Sequence, residues 1–196
     1  MPVVNNWDAD DVFIGGSSII EVFLSDAEMI AITADPSQTQ GWFRMGFFSG
    51  GTYGDEIASE ALRDEGGTLI RNTETTNDFV ISNTLMQTTA NLHLLIDSYL
   101  SQAAHKYRYI LPTNAVTTPL RRQILGMNNA LADKNNWTAE TSQGSVRGRE
   151  LIVRGTATDE YPKRVIDEVT DWTAEGSWPA SLGEFLTDHT AWPSAS

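Results

Sequence analysis

Hydrophobic and polar residues follow two different periods between Phe79 and Pro112. From Phe79 to Gln87 the apolar residues thin to an alternation, which is typical of a strand. Apolar residues then recur at helical spacing, which predicts an amphipathic helix of about three turns, at Leu92, Leu95, Ile96, Tyr99 and Leu100. Thr88 or Thr89 is the expected N-cap. The chain re-extends at His105 and Pro112 ends it, so the pattern predicts one helix laid on a sheet, joining two of its strands.

The chain before this unit is also rich in strand patterns. Residues 19–24 are apolar and β-branched, residues 25–28 are polar, and residues 29–33 are apolar again, which predicts a β-hairpin. Residues 56–64 have weak helical character and end at a Gly-Gly pair. Residues 68–76 are rich in Thr, with charges at intervals, and are typical of a strand with one solvated face.

An aromatic cluster lies among glycines between residues 35 and 56, in a region that we predict to be a loop. It lacks a Walker pattern and a GxGxxG pattern, which argues against a nucleotide site. Two interpretations are open: core aromatics on a strand before a turn, or an aromatic loop that docks on another subunit, since interfaces are enriched in such residues. The residues concerned are Trp42, Phe43, Phe47, Phe48 and Tyr53.

The chain after Pro112 divides into three parts. Residues 114–144 are loop-rich, and periodicity does not decide whether 120–127 is helix or strand. Residues 145–158 predict a long strand whose one face passes from basic (Arg147, Arg149) to apolar (Leu151, Val153), and 161–169 predict the last strand. We therefore expect one domain over residues 1–170. Residues 171–196 form an extension whose Trp172, Trp178 and Trp192 pack either on this domain or on a neighbouring copy.

Composition and charge narrow the class of protein. The 196 residues contain no cysteine, which excludes disulfides, thiolate metal sites and cysteine nucleophiles. The sequence shows no signal peptide and no apolar run of about 20 residues, so we expect a soluble cytosolic product without membrane insertion. The net charge of −13 is uneven: residues 1–105 carry 15 acidic and 3 basic side chains, 106–164 carry 5 and 10, and 165–196 carry 6 and none. This distribution argues against a nucleic-acid binder and is compatible either with a solvated surface or with contact between unlike patches of two copies.

The sequence contains no recognisable catalytic constellation. The three histidines are scattered, and neither HExxH nor GxSxG is present. Asp8, Asp10 and Asp11 lie close together but lack the glycine and the distal glutamate of a calcium loop. We therefore predict no catalytic residue, no metal and no cofactor, and a protein that is not an enzyme.

The order of elements resembles the major tail tube proteins of long-tailed, siphovirus-like bacteriophages. The resemblance rests on the N-terminal pair of strands, the Gly-flanked polar strand 67–76, the segment 79–89 leading into the helix, and the late strand 149–157. It covers residues 10–170.

The resemblance implies a mainly β (α+β) fold, a β-sandwich with one flanking amphipathic helix. It implies hexameric rings, in which the sheets join into an inner β-barrel, stacked into a tube in the virion tail that delivers the genome. Assembly would take place in the host cytoplasm. The implied partners are other copies of the chain, a tape measure protein inside the tube, the tail terminator and the baseplate or tail-tip proteins; genomic DNA is present only in transit.

Two sets of site residues follow as predictions. The self-assembly interface comprises the aromatic residues Trp42, Phe43, Phe47, Phe48, Tyr53, Trp172, Trp178 and Trp192. The strand bearing Thr68, Glu74 and Thr76 lines the lumen, where negative charge repels phosphates. Two other functions are open: a tail terminator or head–tail connector that makes a single ring, and a monomeric β-sandwich module that binds a ligand on a platform of Trp42, Phe43 and Tyr53.

Overall fold

Strands make up most of the part of the chain that the structure, a computed structural model, describes. That part is residues 18–63, 65, 67–85, 90–114, 120–133, 137–138, 148–158 and 160–169. Its strands are β1 (Ser18–Leu24), β2 (Gly41–Arg63), β3 (Leu69–Leu85), β4 (His105–Asn114), β5 (Leu120–Ala132), β6 (Trp137–Thr138), β7 (Gly148–Thr156) and β8 (Lys163–Val169). Its helices are α1 (Asp26–Thr33) and α2 (Ala90–Leu95), and α2 continues as a π-helical turn over Ile96–Leu100.

The eight strands belong to one antiparallel sheet, in the order β6-β7-β3-β2-β1-β4-β5-β8. The sheet curls until β5 and β7 meet in a short additional pairing, Leu131 with Arg154 and Ala132 with Val153, but it does not close along its length. The predicted mainly β class is confirmed. None of the described helices is long and apolar enough to cross a membrane.

The helix predicted after β3 packs on the sheet as the spacing indicates. Leu92, Leu95, Ile96 and Leu100 are buried in the main core, and Tyr99 packs at its margin. Burying each such side chain contributes about 1.5–3 kcal/mol. The predicted caps, Thr88 and Thr89, lie outside the described residues.

The predicted hairpin over residues 19–33 is wrong, because its second half is helix α1. The Ser25 backbone N–H and hydroxyl both donate to Glu28 Oε2, at 2.9 and 2.7 Å. This Ser-x-x-Glu capping box starts a helix, and Met29 and Ile32, three residues apart, then face the core. The spacing that defines the box is visible in the sequence, whereas a short apolar run does not distinguish helix from strand.

Glu28 also connects α1 to the start of β4, so the protonation state of its carboxyl group affects the stability of the fold. His105 Nε2 lies 2.8 Å from Glu28 Oε1, and its Nδ1 lies 2.8 Å from the carbonyl oxygen of Ala103. Partial burial acts to raise the pKa of Glu28, but hydrogen bonds from the Ser25 backbone, His105 and the Ser25 hydroxyl outweigh it and lower the pKa below the ordinary 4.5.

We therefore expect acid to weaken the fold through Glu28. A carboxyl group whose pKa is lowered by folding stabilises the fold above its unfolded pKa, and this contribution is lost as the pH falls below about 4.5 and through the folded pKa. Glu28→Gln should cost about 1 kcal/mol at pH 7 and flatten this part of the pH profile. Urea unfolding between pH 3 and pH 7 measures both effects, and an unchanged profile in Glu28→Gln would contradict the assignment.

The strand predictions on the far side of the helix need two corrections. β5 runs from Leu120 to Ala132, which decides the open choice at 120–127 in favour of strand and shortens the predicted loop-rich region. β4 continues through Pro112 to Asn114, so the prediction that Pro112 ends it is wrong. The described pairing of β4 with β1 ends at Ile110, and a proline beyond that point interrupts no ladder on that side.

The predicted change from a basic to an apolar face along β7 is confirmed for the described positions. Arg149, Leu151 and Val153 are all buried, while Arg147 lies outside the described residues. Arg149 forms an ion pair with Asp97, and its Nη1 lies 3.2 Å from His93 Nδ1. A buried guanidinium thus joins the helix to the end of the sheet.

Gly51 lies at a β-bulge of β2. The register of β2 with β3 shifts between Ser49 and Gly51, and Gly51 pairs with Asn83. Its φ is +136°, and a Cβ added there would overlap the Asn83 side chain and the Ser82 carbonyl. Asn83 cannot easily give way, because its Oδ1 accepts hydrogen bonds from Tyr109 at 2.6 Å and from Ser18 at 3.3 Å.

We expect Gly51→Ala to lower the free energy of unfolding by about 1–3 kcal/mol, since it adds backbone strain and a clash. Gly54→Ala is the matched control: a Cβ there meets nothing within 4 Å and its φ lies outside the left-handed region. Chemical denaturation of both variants tests this, and equal losses would contradict it.

Candidate self-assembly surface

A long two-stranded ribbon extends β2 and β3 beyond their neighbours in the sheet. β2 pairs with β1 only as far as Phe48, and β3 pairs with β7 only from Asp78 onwards. β2 and β3 pair with each other beyond these limits, from the pair of Ile57 with Asn77 to the pair of Arg63 with Leu69. We call residues 57–76 the arm. Seven residues of strand give it a length of about 23 Å.

The segment 56–64, predicted to have weak helical character, is therefore strand over its described residues 56–63, and the loop predicted over 35–56 is strand from Gly41 onwards. The hairpin signal in the sequence is the Gly66-Gly67 pair. It follows a run containing Ile57 and Leu62 and precedes a polar Thr-rich run. The alternation was hidden by Ala58, Ala61 and the register shifts at Ala58–Ser59 and Leu62–Arg63.

The arm has two strand edges with no partner strand among the described residues, one along β2 and the other along β3. On the β3 side the last contact with the sheet is the Ala157 N–H donating to the Asn77 carbonyl at 2.8 Å. An isolated two-stranded ribbon is marginal in water, and open edges invite pairing with another chain. The arm is thus a surface suited to a β-strand partner.

The arm is acidic and exposes apolar side chains. Residues 55–78 carry seven acidic and two basic side chains, a net charge of −5. Ile57 at the base of the arm is 60% exposed and Leu69 near its tip is 51% exposed. Exposed β-branched and aliphatic residues on an open strand are compatible with burial against a partner.

A further open edge lies along β8, at one end of the sheet. β8 pairs with β5 over Leu120–Gly126 and has no strand on its outer side among the described residues. It begins with Lys163 and Arg164, and Asp167 and Glu168 come just before its last residue, Val169. Ile166 in its middle is 65% exposed. One copy therefore presents two different edges, the arm and β8.

The predicted interface aromatics are divided between the two faces of the sheet. Trp42 is 1% exposed and packs in a small cluster with Ile19, Ile110 and Ile124, whereas Phe43 and Tyr53 pack against the main core. The structure thus does not bring together the ligand platform of Trp42, Phe43 and Tyr53, because neighbouring residues of a strand point to opposite faces.

Within the isolated chain Phe48 and Tyr53 make intramolecular contacts. Phe48 is fully buried, Tyr53 packs edge-on against Tyr109 at 6.0 Å between ring centroids, and Phe47 pairs through its backbone with Ile19. Trp172, Trp178 and Trp192 lie outside the described residues. Contacts of these aromatics between copies stay a prediction.

Trp42 lies beside a buried group of charges that joins three neighbouring strands. Arg44 donates from Nε and Nη2 to Glu21 Oε1 at 3.1 and 2.9 Å, and Arg108 Nη2 lies 2.5 Å from Glu21 Oε2. The Arg108 guanidinium stacks 4.0 Å from the centre of the Trp42 ring. Burial lowers the pKa of Arg108 to about 10, which leaves it charged at neutral pH. The group fixes the register of β2, β1 and β4.

The predicted lumen residues all lie at the arm. Thr68 immediately precedes β3 and is exposed, Thr76 is exposed near the base, and Glu74 lies in register with Ser59. The structure therefore places the three on one exposed ribbon. Whether that ribbon faces a lumen stays a prediction.

A shallow groove of about 380 Å³ lies at the base of the arm, lined by residues of β2, β3 and β7 around Gly54. Arg154 crosses it and pairs with Glu56 at 2.6 Å and with Asp133 at 3.1 Å. No cluster of three metal-ligating side chains occurs in the described ranges, and Asp8, Asp10 and Asp11 lie outside them. These ion pairs hold the base of the arm against the rest of the sheet.

No protein-family model matches the sequence, and no curated protein does. Among solved structures, the chain is similar to one in the sheath–tube complex of an extracellular contractile injection system, PVC, in its extended state, with 11% identity and a TM-score of 0.40, covering 82% of this chain and 95% of that one. It is similar to a chain of the anti-feeding prophage tube-terminating cap, with 11% identity and a TM-score of 0.39, covering 86% and 95%. A third is in the tail of an empty GTA particle, with 9% identity and a TM-score of 0.35, covering 78% and 96%.

Proposed function

We propose that the chain is a structural virion protein that assembles with copies of itself into stacked hexameric rings, forming a phage tail tube that carries the genome. The arm is the observation that carries this proposal. A ribbon about 23 Å long, with an open edge on each side, needs partners that its own chain does not provide within the described residues.

Two unlike edges on one chain support a ring in particular. A contact between two different patches is heterologous, and repeating it around an axis closes a ring when the rotation fits. The arm and β8 are such patches, because they lie on different strands and differ in charge. Copies joined edge to edge would extend the curled sheet from one chain to the next and form the inner wall of the ring.

The acidity of the chain supports a conduit for DNA. Binding to nucleic acid depends on neutralising phosphates with lysine and arginine. A negatively charged wall instead repels the phosphates, so DNA does not adhere to it. The arm with the two residues on either side of it, residues 55–78, carries a net charge of −5, and Thr68 and Thr76 are exposed. We propose that the arm strand with Thr68, Glu74 and Thr76 lines the lumen, that a tape measure protein occupies it before DNA, and that terminator and baseplate or tail-tip proteins bind the two ends.

Negative-stain electron microscopy of the purified chain, across protein concentration and salt, tests the proposal. Stacked rings or tubes with a central channel are the expected result. Single rings at every concentration would favour a terminator or connector, and monomers alone, even after a tail-tip complex is added as initiator, would overturn self-assembly.

A further inference from the structure

The charges along the outer edge of β8 complement those along the open edge of the arm in one antiparallel register. With Arg164 opposite Glu74, the same register sets Asp167 opposite Arg71. Both pairs join unlike charges, and directly opposite unlike charges stabilise paired strands while like charges destabilise them. We infer that β8 of one copy adds to the β3 edge of the arm of the next copy in this register, an inference that rests on the proposed self-assembly.

The lengths of the two edges agree with this register. β8 has seven residues, Lys163–Val169, and they would lie opposite residues 75 to 69 of β3. The edge of β3 is occupied from Asn77 onwards by β7 and Ala157, so β8 fits between the tip of the arm and the body of the sheet.

The two faces of the strands also agree. Arg164 lies over the ring of Phe79, on the concave side of the curled sheet that Tyr53 also faces. The register of β2 with β3 runs without a shift from Tyr53 to Ala58, and after the shift Glu74 pairs with Ser59. Positions 53, 59 and 74 therefore share a face. In the inferred register Arg164 and Glu74 lie on that same face, so the curled sheet continues across the contact.

The other open edge of the arm offers a poorer match. Along β2, Lys163 and Arg164 find unlike charges at Glu56 and Asp55, but Glu56 already pairs with Arg154 at 2.6 Å. That register also carries the end of β8 into the bulge at Gly51, where the ladder is interrupted. Sliding β8 by four residues towards the tip sets Lys163 opposite Glu60, but it also sets Asp167 and Glu168 opposite Glu56 and Asp55, so that two pairs of like charges outnumber one unlike pair.

Charge exchange tests the inference. Glu74→Arg and Arg164→Glu should each raise the concentration at which rings form by about tenfold, since each turns an attraction into a repulsion at every contact. The double variant should return to within about threefold of the parent. Glu60→Arg is the matched control, because it makes the same charge change on the β2 strand of the arm, and Arg164→Glu should not rescue it. Equal rescue of both arm variants, or rescue of neither, would overturn the register.

Cross-linking gives a readout that does not depend on assembly strength. The chain has no cysteine, so a mixture of Glu74→Cys and Arg164→Cys copies can form only introduced disulfides. Opposite positions of paired strands lie within disulfide reach. Oxidation should yield the mixed dimer, and far less of it when Val165→Cys replaces Arg164→Cys, because a shift of one residue moves the thiol to the other face. Assembly of the parent without the mixed dimer would overturn the pairing alone, whereas a parent that never assembles removes the proposed function as well.

Discussion

A chain that lacks the arm should remain a folded monomer and form neither rings nor tubes. Joining Ala58 directly to Thr76 through an Asn-Gly turn removes the arm beyond its first pairs, and this dipeptide favours the tight turn required. The core should survive, because no buried core residue is described between Phe48 and Phe79. Assembly should fail at every concentration tested, because both open edges of the arm are lost and β8 has no arm to pair with.

Light scattering with size-exclusion chromatography and electron microscopy measure the loss of assembly, and thermal unfolding checks the fold. Leu94→Ala is the control: it removes an exposed apolar side chain from α2, which is not part of the arm, and should leave assembly intact. Tubes formed by the shortened chain would contradict the role of the arm and the proposed function together.

The second large effect is expected at Glu21. Glu21→Gln keeps the shape of the side chain but leaves the buried Arg108 and the partly buried Arg44 without their carboxylate. Breaking a buried ion pair by removing one partner costs about 3–5 kcal/mol, because an uncompensated charge stays buried. For a chain of this size that lowers the melting temperature by about 10 °C.

Glu168→Gln is the matched control, since Glu168 pairs with Arg121 at 3.2 Å on the surface and is 56% exposed. Exposed pairs contribute at most about 1 kcal/mol. Thermal and urea unfolding of the two variants should therefore differ widely. Glu21→Met combined with Arg108→Met should be less destabilised than Glu21→Gln, because it removes both buried charges at once. Similar losses in Glu21→Gln and Glu168→Gln would contradict the buried-charge argument.

Long, one-sided periodicity was the part of the fold most accessible to prediction. The helix after β3 shows its apolar stripe at Leu92, Leu95, Ile96 and Leu100. The alternation at Phe79, Ile81 and Leu85 predicts the strand before it, β3. The change from Arg149 to Leu151 and Val153 along β7 was visible for the same reason. Each pattern repeats over several residues, so burial of one face leaves a clear signal.

Short and irregular segments were misassigned for physical reasons. Residues 29–33 are apolar enough for either a helix or a strand, and the capping box of Ser25 and Glu28 decides in favour of a helix. The described side chains of the strand over 56–63 are exposed, so burial does not impose an alternation on them. Its register shifts obscure the rest of the pattern.

The sequence by itself determined the mainly β class, the position of the helix, the absence of cysteine chemistry and the uneven charge. Only the tertiary structure decided that β2 and β3 continue past their neighbours as an arm, and that Glu21 meets Arg44 and Arg108 across three strands. The reason is the same in both cases. Which strands lie side by side, and where one neighbour stops, depends on contacts between residues far apart in the chain, and local periodicity carries no information about them.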